Sequence, residues 1–209
     1  MPPEPFRGKG AFPTLERAAN AVQAKIGGDN MYIETYTGRA IDPFNPDPTQ
    51  IHPDDIFHAL TQINRFGGHT KIPYIVAEHS LLVMGILNVQ GHDETVQLQG
   101  LMHDAAEAYM GDVPTPIKTA WPGFIEAEER LLRVIFDRME IPWWTDEQRQ
   151  VVHEADQMAL HVEAKVLMPL KVWKVPEVDF ELIFQAHMAK GTFGMRHWYE
   201  RLHAVCAVR

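Results

Sequence analysis

The stretch Leu101-Met-His-Asp-Ala-Ala-Glu-Ala-Tyr-Met-Gly-Asp112 places the ionisable side chains of His103, Asp104 and Glu107 among the small apolar residues Ala105, Ala106 and Ala108. His103 and Asp104 are adjacent, and Glu107 lies one helical turn beyond His103, so it faces the same side of a predicted helix. Burying these groups without a partner would be costly. A divalent cation would remove that cost, so the stretch predicts a helix that carries a metal site.

Two residues on other predicted helices are further candidate ligands. His79 lies in the middle of an apolar stripe, and Asp156 shares a helix face with Val152 and Ala159. Mixed imidazole and carboxylate ligation suits Zn, Mn, Fe or Co. Taken singly, such a histidine is more often a hydrogen-bonded core residue, and such an aspartate a solvated or capping residue. The occurrence of all four groups in apolar helical segments favours a metal site.

A helical pattern extends over most of the chain after Pro53. Apolar spacing and capping signals predict five helices. They run from Asp54 or Asp55 to Gly67-Gly68, from Pro73 through Ile86, from Asp93-Glu94 to Gly111, from Pro122 to Glu140, and from Thr145 to Pro169. Residues 179–208 predict two further amphipathic helices.

The first quarter of the chain has a different character, because eight of the fifteen prolines fall at or before Pro53. Within it, β-forming residues flank Thr37-Gly38, which predicts a short hairpin over Met31–Ile41. The sequence therefore predicts an all-α fold with a small N-terminal β-hairpin appendage. The predicted boundary separates an irregular segment, 1–52, from a helical domain, 53–209.

Composition excludes several classes of partner. The chain has 28 acidic residues against 19 Lys and Arg, a formal charge of −9, which argues against binding the backbone of a nucleic acid polymer. A small phosphorylated ligand stays compatible, because a metal and a few basic groups can reverse the potential locally. No apolar run reaches the ~18 residues needed to span a bilayer. A single cysteine, Cys206, fits a reducing compartment. We expect a cytoplasmic protein (in the host cytoplasm if viral) that does not bind membranes.

The sequence motifs around the candidate ligands resemble those of a known family. The order His79, His103-Asp104, Asp156 is similar to that of the HD-domain metal-dependent phosphohydrolases. The resemblance covers roughly residues 54–168 and is closest to YfbR-type 5′-deoxynucleotidases and to phage deoxynucleoside triphosphohydrolases, including dATP-removing enzymes. The segments that carry it are Ile63–His69, Ala77–Ser80, Met102–Glu107, Gly111–Lys118 and Ala155-Asp156. The most specific of these motifs is His103–Glu107 followed by Gly111–Pro116. The interval from Asp104 to Asp156 is nearer to that of the phage enzymes.

The resemblance implies an HD-domain helical bundle and a role for each matching residue. It implies that a divalent transition metal (Co, Mn, Zn or Fe) is bound by His79, His103, Asp104 and Asp156, and that Glu107 orients or deprotonates the attacking water. It also implies that phosphate is held by Arg65 and Lys118. Asp112 would contact the sugar or shape the site, and Phe66 would stack on the base. His69, beside Gly67-Gly68, is a candidate substrate contact or a loop cap. Following Pro114 and Pro116, Lys118 is expected on a stiff loop.

The expected function is divalent-metal-dependent hydrolysis of deoxynucleoside 5′-phosphates. The leading version converts a dNTP, such as dATP, to deoxynucleoside and triphosphate. In that version Arg39, Lys71 and Lys118 are the candidate cations for the β- and γ-phosphates. The alternatives are a 5′-deoxynucleotidase releasing orthophosphate from a dNMP, an HD phosphodiesterase and a non-catalytic nucleotide-binding protein. The family resemblance also implies a homo-oligomer, a dimer or larger.

Overall fold

The structure, a computed structural model, describes residues 32–171, 173–177, 179 and 181–183. This part of the chain is mostly helical, with a two-stranded antiparallel sheet near its start. None of its helices combines the length and apolarity that crossing a membrane requires. The irregular segment predicted before residue 32 lies outside the described residues, as do most of the two helices predicted over 179–208.

The elements follow one another closely along the chain. The strands are β1 (Ile33–Glu34) and β2 (Ala40–Ile41). The helices are α1 (Pro53–Leu60), α2 (Val76–Val89), α3 (Glu94–Met102), α4 (Glu107–Met110), α5 (Thr115–Ala120), α6 (Pro122–Arg138) and α7 (Asp146–Leu167), with short 3₁₀ turns at Pro48–Gln50 and Arg65–Gly68.

The predicted hairpin is confirmed over residues 33–41. Ile33 pairs with Ile41, and the turn uses Gly38 at a φ of 78°, a value that favours glycine. The buried carboxylate of Asp55, in α1, accepts hydrogen bonds from the backbone N–H of Thr37 at 2.7 Å and from its hydroxyl at 2.9 Å. These two bonds fix the hairpin against the first turn of α1.

Helix α2 is the centre of the fold. Most of its residues are buried, as expected for a helix that is apolar on all sides. It packs against α3 and α7, and α1 packs against α4. Because His79 lies in the first half of α2, the backbone carries that imidazole into the core.

The first two predicted helices have different bounds in the structure. Helix α1 begins at Pro53 with His52 as its N-cap, not Asp54 or Asp55, and it ends at Leu60 rather than at Gly67-Gly68. Helix α2 begins at Val76 rather than Pro73, because Ile75 is held in extended backbone by a β-bridge to Asn64. The intervening loop, with its turn at residues 65–68, becomes part of the candidate site.

The third predicted helix is divided into two. Helix α3 ends at Met102 and α4 begins at Glu107, and turns joined by short-range bonds such as Glu107 N–H to the Asp104 carbonyl lie between them. The prediction of a stiff loop around Lys118 is wrong. That residue lies in α5, a helix with proline in its first turn.

The last two predicted helices are confirmed with small changes of bounds. Helix α6 starts at Pro122 and ends at Arg138. Helix α7 starts after Thr145, whose hydroxyl and N–H exchange hydrogen bonds with Gln148 in a capping box, and it ends at Leu167, two residues before Pro169.

Candidate metal centre

Two imidazoles from different helices face each other at the centre of the site. The Nε2 atoms of His79, in α2, and His103, at the end of α3, are 3.3 Å apart. The Nδ1 of His103 donates to the carbonyl of Gly100 at 2.7 Å, and the Nδ1 of His79 lies 2.7 Å from a carboxylate oxygen of Glu163. Because each Nδ1 carries the proton of its hydrogen bond, both Nε2 atoms point to the shared centre, where each can hold either a second proton or a metal ion.

Two carboxylates complete this group. Asp104 Oδ2 lies 3.2 Å from His103 Nε2 and 3.6 Å from His79 Nε2. Asp156, on α7, places its Oδ1 3.1 Å from His79 Nε2 and 3.8 Å from His103 Nε2. We call His79, His103, Asp104 and Asp156 the four-residue cluster. The structure thus brings together side chains from α2, the α3–α4 junction and α7.

The cluster fits a divalent metal ion. The ligand atoms of His79, His103 and Asp104 all lie within 4.8 Å of one another, which makes these three a group that could hold a metal ion. Atoms bound about 2.1 Å from one ion lie roughly 3–3.5 Å apart in tetrahedral or octahedral geometry. Two imidazole lone pairs directed at each other between two carboxylates are stable only with a cation, a metal ion or protons, among them. Asp156 is not part of that triplet but contacts both imidazoles.

The pKa shifts of the cluster residues are those of a site that attracts cations. Burial opposes protonation of both imidazoles, yet Glu163 raises the pKa of His79, and Asp104 raises the pKa of His103 well above its usual value. Burial would raise the pKa of Asp104 and Asp156, but the imidazoles hold both pKa values below the ordinary range. The site therefore retains positive charge between its carboxylates.

The unbroken helix that would place His103 and Glu107 on one face is interrupted by turns at residues 103–106. Glu107 instead begins α4, and its carboxylate interacts electrostatically with Asp104. Its side chain is buried, and its Oε1 accepts from Lys118 Nζ at 3.3 Å. Its Oε2 is buried and finds no hydrogen-bond partner among the described residues. Burial, followed by repulsion from Asp104 and Asp112, raises the pKa of Glu107 well above its usual value. The free oxygen can accept a proton or a hydrogen bond from a small molecule.

Two cations, Arg65 and Lys118, contact carboxylates of the site. Arg65 is buried, with NH1 3.4 Å from Asp104 Oδ2. Lys118, in α5, lies between Glu107 and Glu128, with its Nζ 2.6 Å from Glu128 Oε1. Arg39 and Lys71, the other two candidate cations for a triphosphate, form their hydrogen bonds elsewhere. Arg39 donates to the Thr37 hydroxyl, and Lys71 donates to the Val166 carbonyl at 3.2 Å.

The remaining predicted substrate residues are Phe66, Asp112 and His69. Phe66 has a positive φ of 55° in the turn that follows Arg65, and the Arg65 guanidinium lies 5.6 Å from its ring centroid. Asp112 is half-buried just after α4, and burial raises the pKa of its carboxyl group. His69 is exposed at the end of the turn, and its backbone N–H donates to the Phe66 carbonyl. Their roles toward a substrate stay predictions.

A cleft opens directly beside the cluster. It has a volume of about 310 Å³, in the size range of small-molecule sites. His103, Asp104 and Asp156 line it together with apolar and charged side chains of α6, α7 and the segment between them, including Ile125, Leu132, Trp144, Arg149 and Val152. A ligand in this cleft would touch three of the four cluster residues.

The sequence reasoning did not find Glu163. This residue lies two helical turns after Asp156 on α7, is buried, and contacts both His79 and Arg65. Its spacing of seven residues from Asp156 places it on the same helix face, and this was the available signal.

Comparison with known proteins finds partial relatives. The chain is 38% identical over 111 residues to the uncharacterized protein RCAP_rcc00048 of Rhodobacter capsulatus, covering 51% of this chain and 57% of that protein. It is 34% identical over 113 residues to the uncharacterized protein YfdR of Escherichia coli, covering 53% of this chain and 60% of that protein. The chain thus spans little more than half the length of these curated relatives. No family model matches the chain.

Proposed function

We propose that this chain is an HD-type, divalent-metal-dependent hydrolase of deoxynucleoside 5′-phosphates. The observation that carries the proposal is the convergence of His79, His103, Asp104 and Asp156 on one centre. This is supported by a carboxylate with a free buried oxygen and by two cations beside the centre. That combination would provide a metal-binding centre, a base and phosphate-binding groups within one site.

The proposed roles follow from the contacts of each residue. A divalent ion held by the cluster would act as a Lewis acid and lower the pKa of water. Glu107 would position the attacking water and accept its proton through the oxygen that has no partner among the described residues. Arg65 offers a planar fork, and Lys118 a point charge, to the phosphate oxygens. Water adds to phosphorus, the ester P–O bond breaks, and the proton passes to the leaving 5′-oxygen.

The leading version acts on a triphosphate, with water attacking the α-phosphorus of a dNTP to give deoxynucleoside and triphosphate. The interval from Asp104 to Asp156, similar to that of the phage enzymes, supports it. The alternative is release of orthophosphate from a dNMP. Its support is that Arg65 and Lys118 bond to carboxylates of the site, whereas Arg39 and Lys71 bond elsewhere. Two nearby cations are enough for one phosphate group.

Product analysis distinguishes these versions. Metal-free protein is incubated with dATP, dAMP, ATP and AMP, each with and without Mn²⁺ or Co²⁺, and the products are separated by ion-exchange chromatography. We expect metal-dependent release of deoxyadenosine and intact triphosphate from dATP. Orthophosphate from dAMP alone would reject the triphosphate version in favour of the nucleotidase. Binding of nucleotide without hydrolysis of any substrate would reject the enzyme and favour a binding protein.

A further inference from the structure

Glu163 is a buried carboxylate that the chemistry described above does not use. Its Oε1 lies 2.7 Å from His79 Nδ1 and accepts from the Tyr74 hydroxyl at 3.0 Å. Its Oε2 accepts from Arg65 Nε at 3.2 Å. A buried carboxylate with donors on both oxygens is therefore a fixed part of the site.

Keeping such a charge in the core is costly, and an apolar side chain of similar volume often serves stability equally well. The contacts of Glu163 are unusual because its partners are His79, a candidate metal ligand, and Arg65, a candidate phosphate ligand. These two come from α2 and from the turn at residues 65–68, which are separate elements. One carboxylate on α7 thus fixes two functional side chains relative to each other.

We infer that Glu163 is a positioning residue that sets the tautomer of His79 and the orientation of Arg65 toward the metal and the phosphate. This inference rests on the proposed function. Glu163 accepts a hydrogen bond from Nδ1–H of His79, which leaves the Nε2 lone pair for the metal ion and increases the basicity of the imidazole. By accepting from Nε of Arg65, it directs the NH1 end of the guanidinium toward Asp104, the side on which phosphate would bind.

The test measures metal affinity on metal-free protein, with no catalysis required. In Glu163→Gln one of the two carboxylate oxygens is replaced by an NH2 donor, which then faces the N–H of either His79 or Arg65 and cannot accept from it. We expect Mn²⁺ and Co²⁺ to bind about 10–100-fold more weakly by titration calorimetry. Glu154→Gln, an exposed glutamate on the same helix, is the matched control and should bind metal as the wild type does.

Tyr74→Phe provides a second variant with a smaller change, because it removes only the hydroxyl that donates to Glu163. We expect a weakening of metal binding of at least about twofold, with circular dichroism unchanged. If Glu163→Gln fails to fold, this variant decides, and an unchanged affinity in Tyr74→Phe would overturn the inference. Inorganic phosphate should also bind the Mn²⁺-loaded Glu163→Gln protein more weakly than the wild type, because Arg65 loses its fixed orientation.

The outcomes separate this inference from the proposed function. Wild-type affinity for Mn²⁺ in folded Glu163→Gln would overturn the positioning role and leave the metal hydrolase proposal intact. A lower melting temperature with unchanged metal affinity would assign Glu163 a purely structural role, which also overturns the inference. A wild-type protein that binds neither Mn²⁺ nor Co²⁺ would overturn the proposed function, and the inference with it.

Discussion

At the scale of single residues, Glu107 is the side chain whose environment most resembles that of a general base. One oxygen contacts Lys118, and the other is buried with no partner in the described part of the chain. We expect Glu107→Gln to lower kcat by about 10²–10⁴-fold, because the amide cannot accept the proton. Its affinity for Mn²⁺ should stay within a few-fold of wild type, since Glu107 is outside the four-residue cluster.

Steady-state kinetics on dATP and dAMP, together with titration calorimetry, measure the two effects separately. Glu154→Gln serves as the control for the loss of one negative charge. A Glu107→Gln protein with wild-type kcat would remove Glu107 from the mechanism. A protein that lost both kcat and Mn²⁺ binding would make Glu107 a metal ligand, contrary to the assignment made above.

The residues of the site differ in how far they could be predicted. His79, His103, Asp104 and Asp156 stood out because each is polar in an apolar helical segment, and the structure brings them together. Glu163 did not stand out, because a glutamate in an amphipathic helix normally faces solvent. Its partners His79 and Arg65 are 84 and 98 residues away in sequence, so only the packed fold reveals the contact.

At the scale of elements, the errors of prediction lie where tertiary contacts override local propensity. Small residues such as Ala105 and Ala106 predicted an unbroken helix to Gly111, but the backbone turns between α3 and α4. The prolines at 114 and 116 predicted a loop, although proline fits equally well in the first turn of α5. The long helices α6 and α7 were predictable, because their amphipathic pattern agrees with their packing, with proline in the first turn of α6 and a capping box at the start of α7.

Gly100 lies where α3 packs against α2. A Cβ at this position would come within 2.3 Å of Leu87 Cδ1 and 3.4 Å of Val83 Cγ1, and both neighbours are fully buried. We expect Gly100→Ala to lower the free energy of unfolding by about 1–3 kcal/mol, because crowding outweighs the gain in helix propensity. The Gly100 carbonyl accepts a hydrogen bond from His103 Nδ1, so the metal affinity of the Gly100→Ala protein should fall as well.

Urea denaturation of a double-mutant cycle gives the control for Gly100. Leu87→Ala alone should cost about 2–5 kcal/mol, as expected for a fully buried leucine. In the double variant the new methyl group occupies space left by Leu87, so the combined loss should be smaller than the sum by about 0.5–3 kcal/mol. Strict additivity would mean that the two side chains do not meet, and the proposed close approach of α2 and α3 would be wrong.

At the scale of the whole molecule, acidic groups dominate. The chain carries a formal charge of −9, and several carboxylates surround the cluster, with Arg65 and Lys118 already bonded to them. These charges attract a divalent cation and oppose the approach of an anion to the metal-free cluster. If the proposed function holds, the metal ion should therefore bind before the nucleotide. The predicted homo-oligomer stays a prediction at this scale.

Metal binding should also change how the stability of the folded chain depends on pH. In the metal-free protein the pKa of His79 and of His103 is raised, so the stabilising charge of the two imidazolium groups is complete below about pH 6.5 and is lost as pH rises through the folded-state pKa values. Because a metal ion displaces those protons, its affinity rises over the same interval. By scanning fluorimetry we expect Tm to fall with rising pH without metal, and the increase in Tm on adding Mn²⁺ to grow. An increase in Tm that does not depend on pH would place the bound Mn²⁺ away from the two imidazoles.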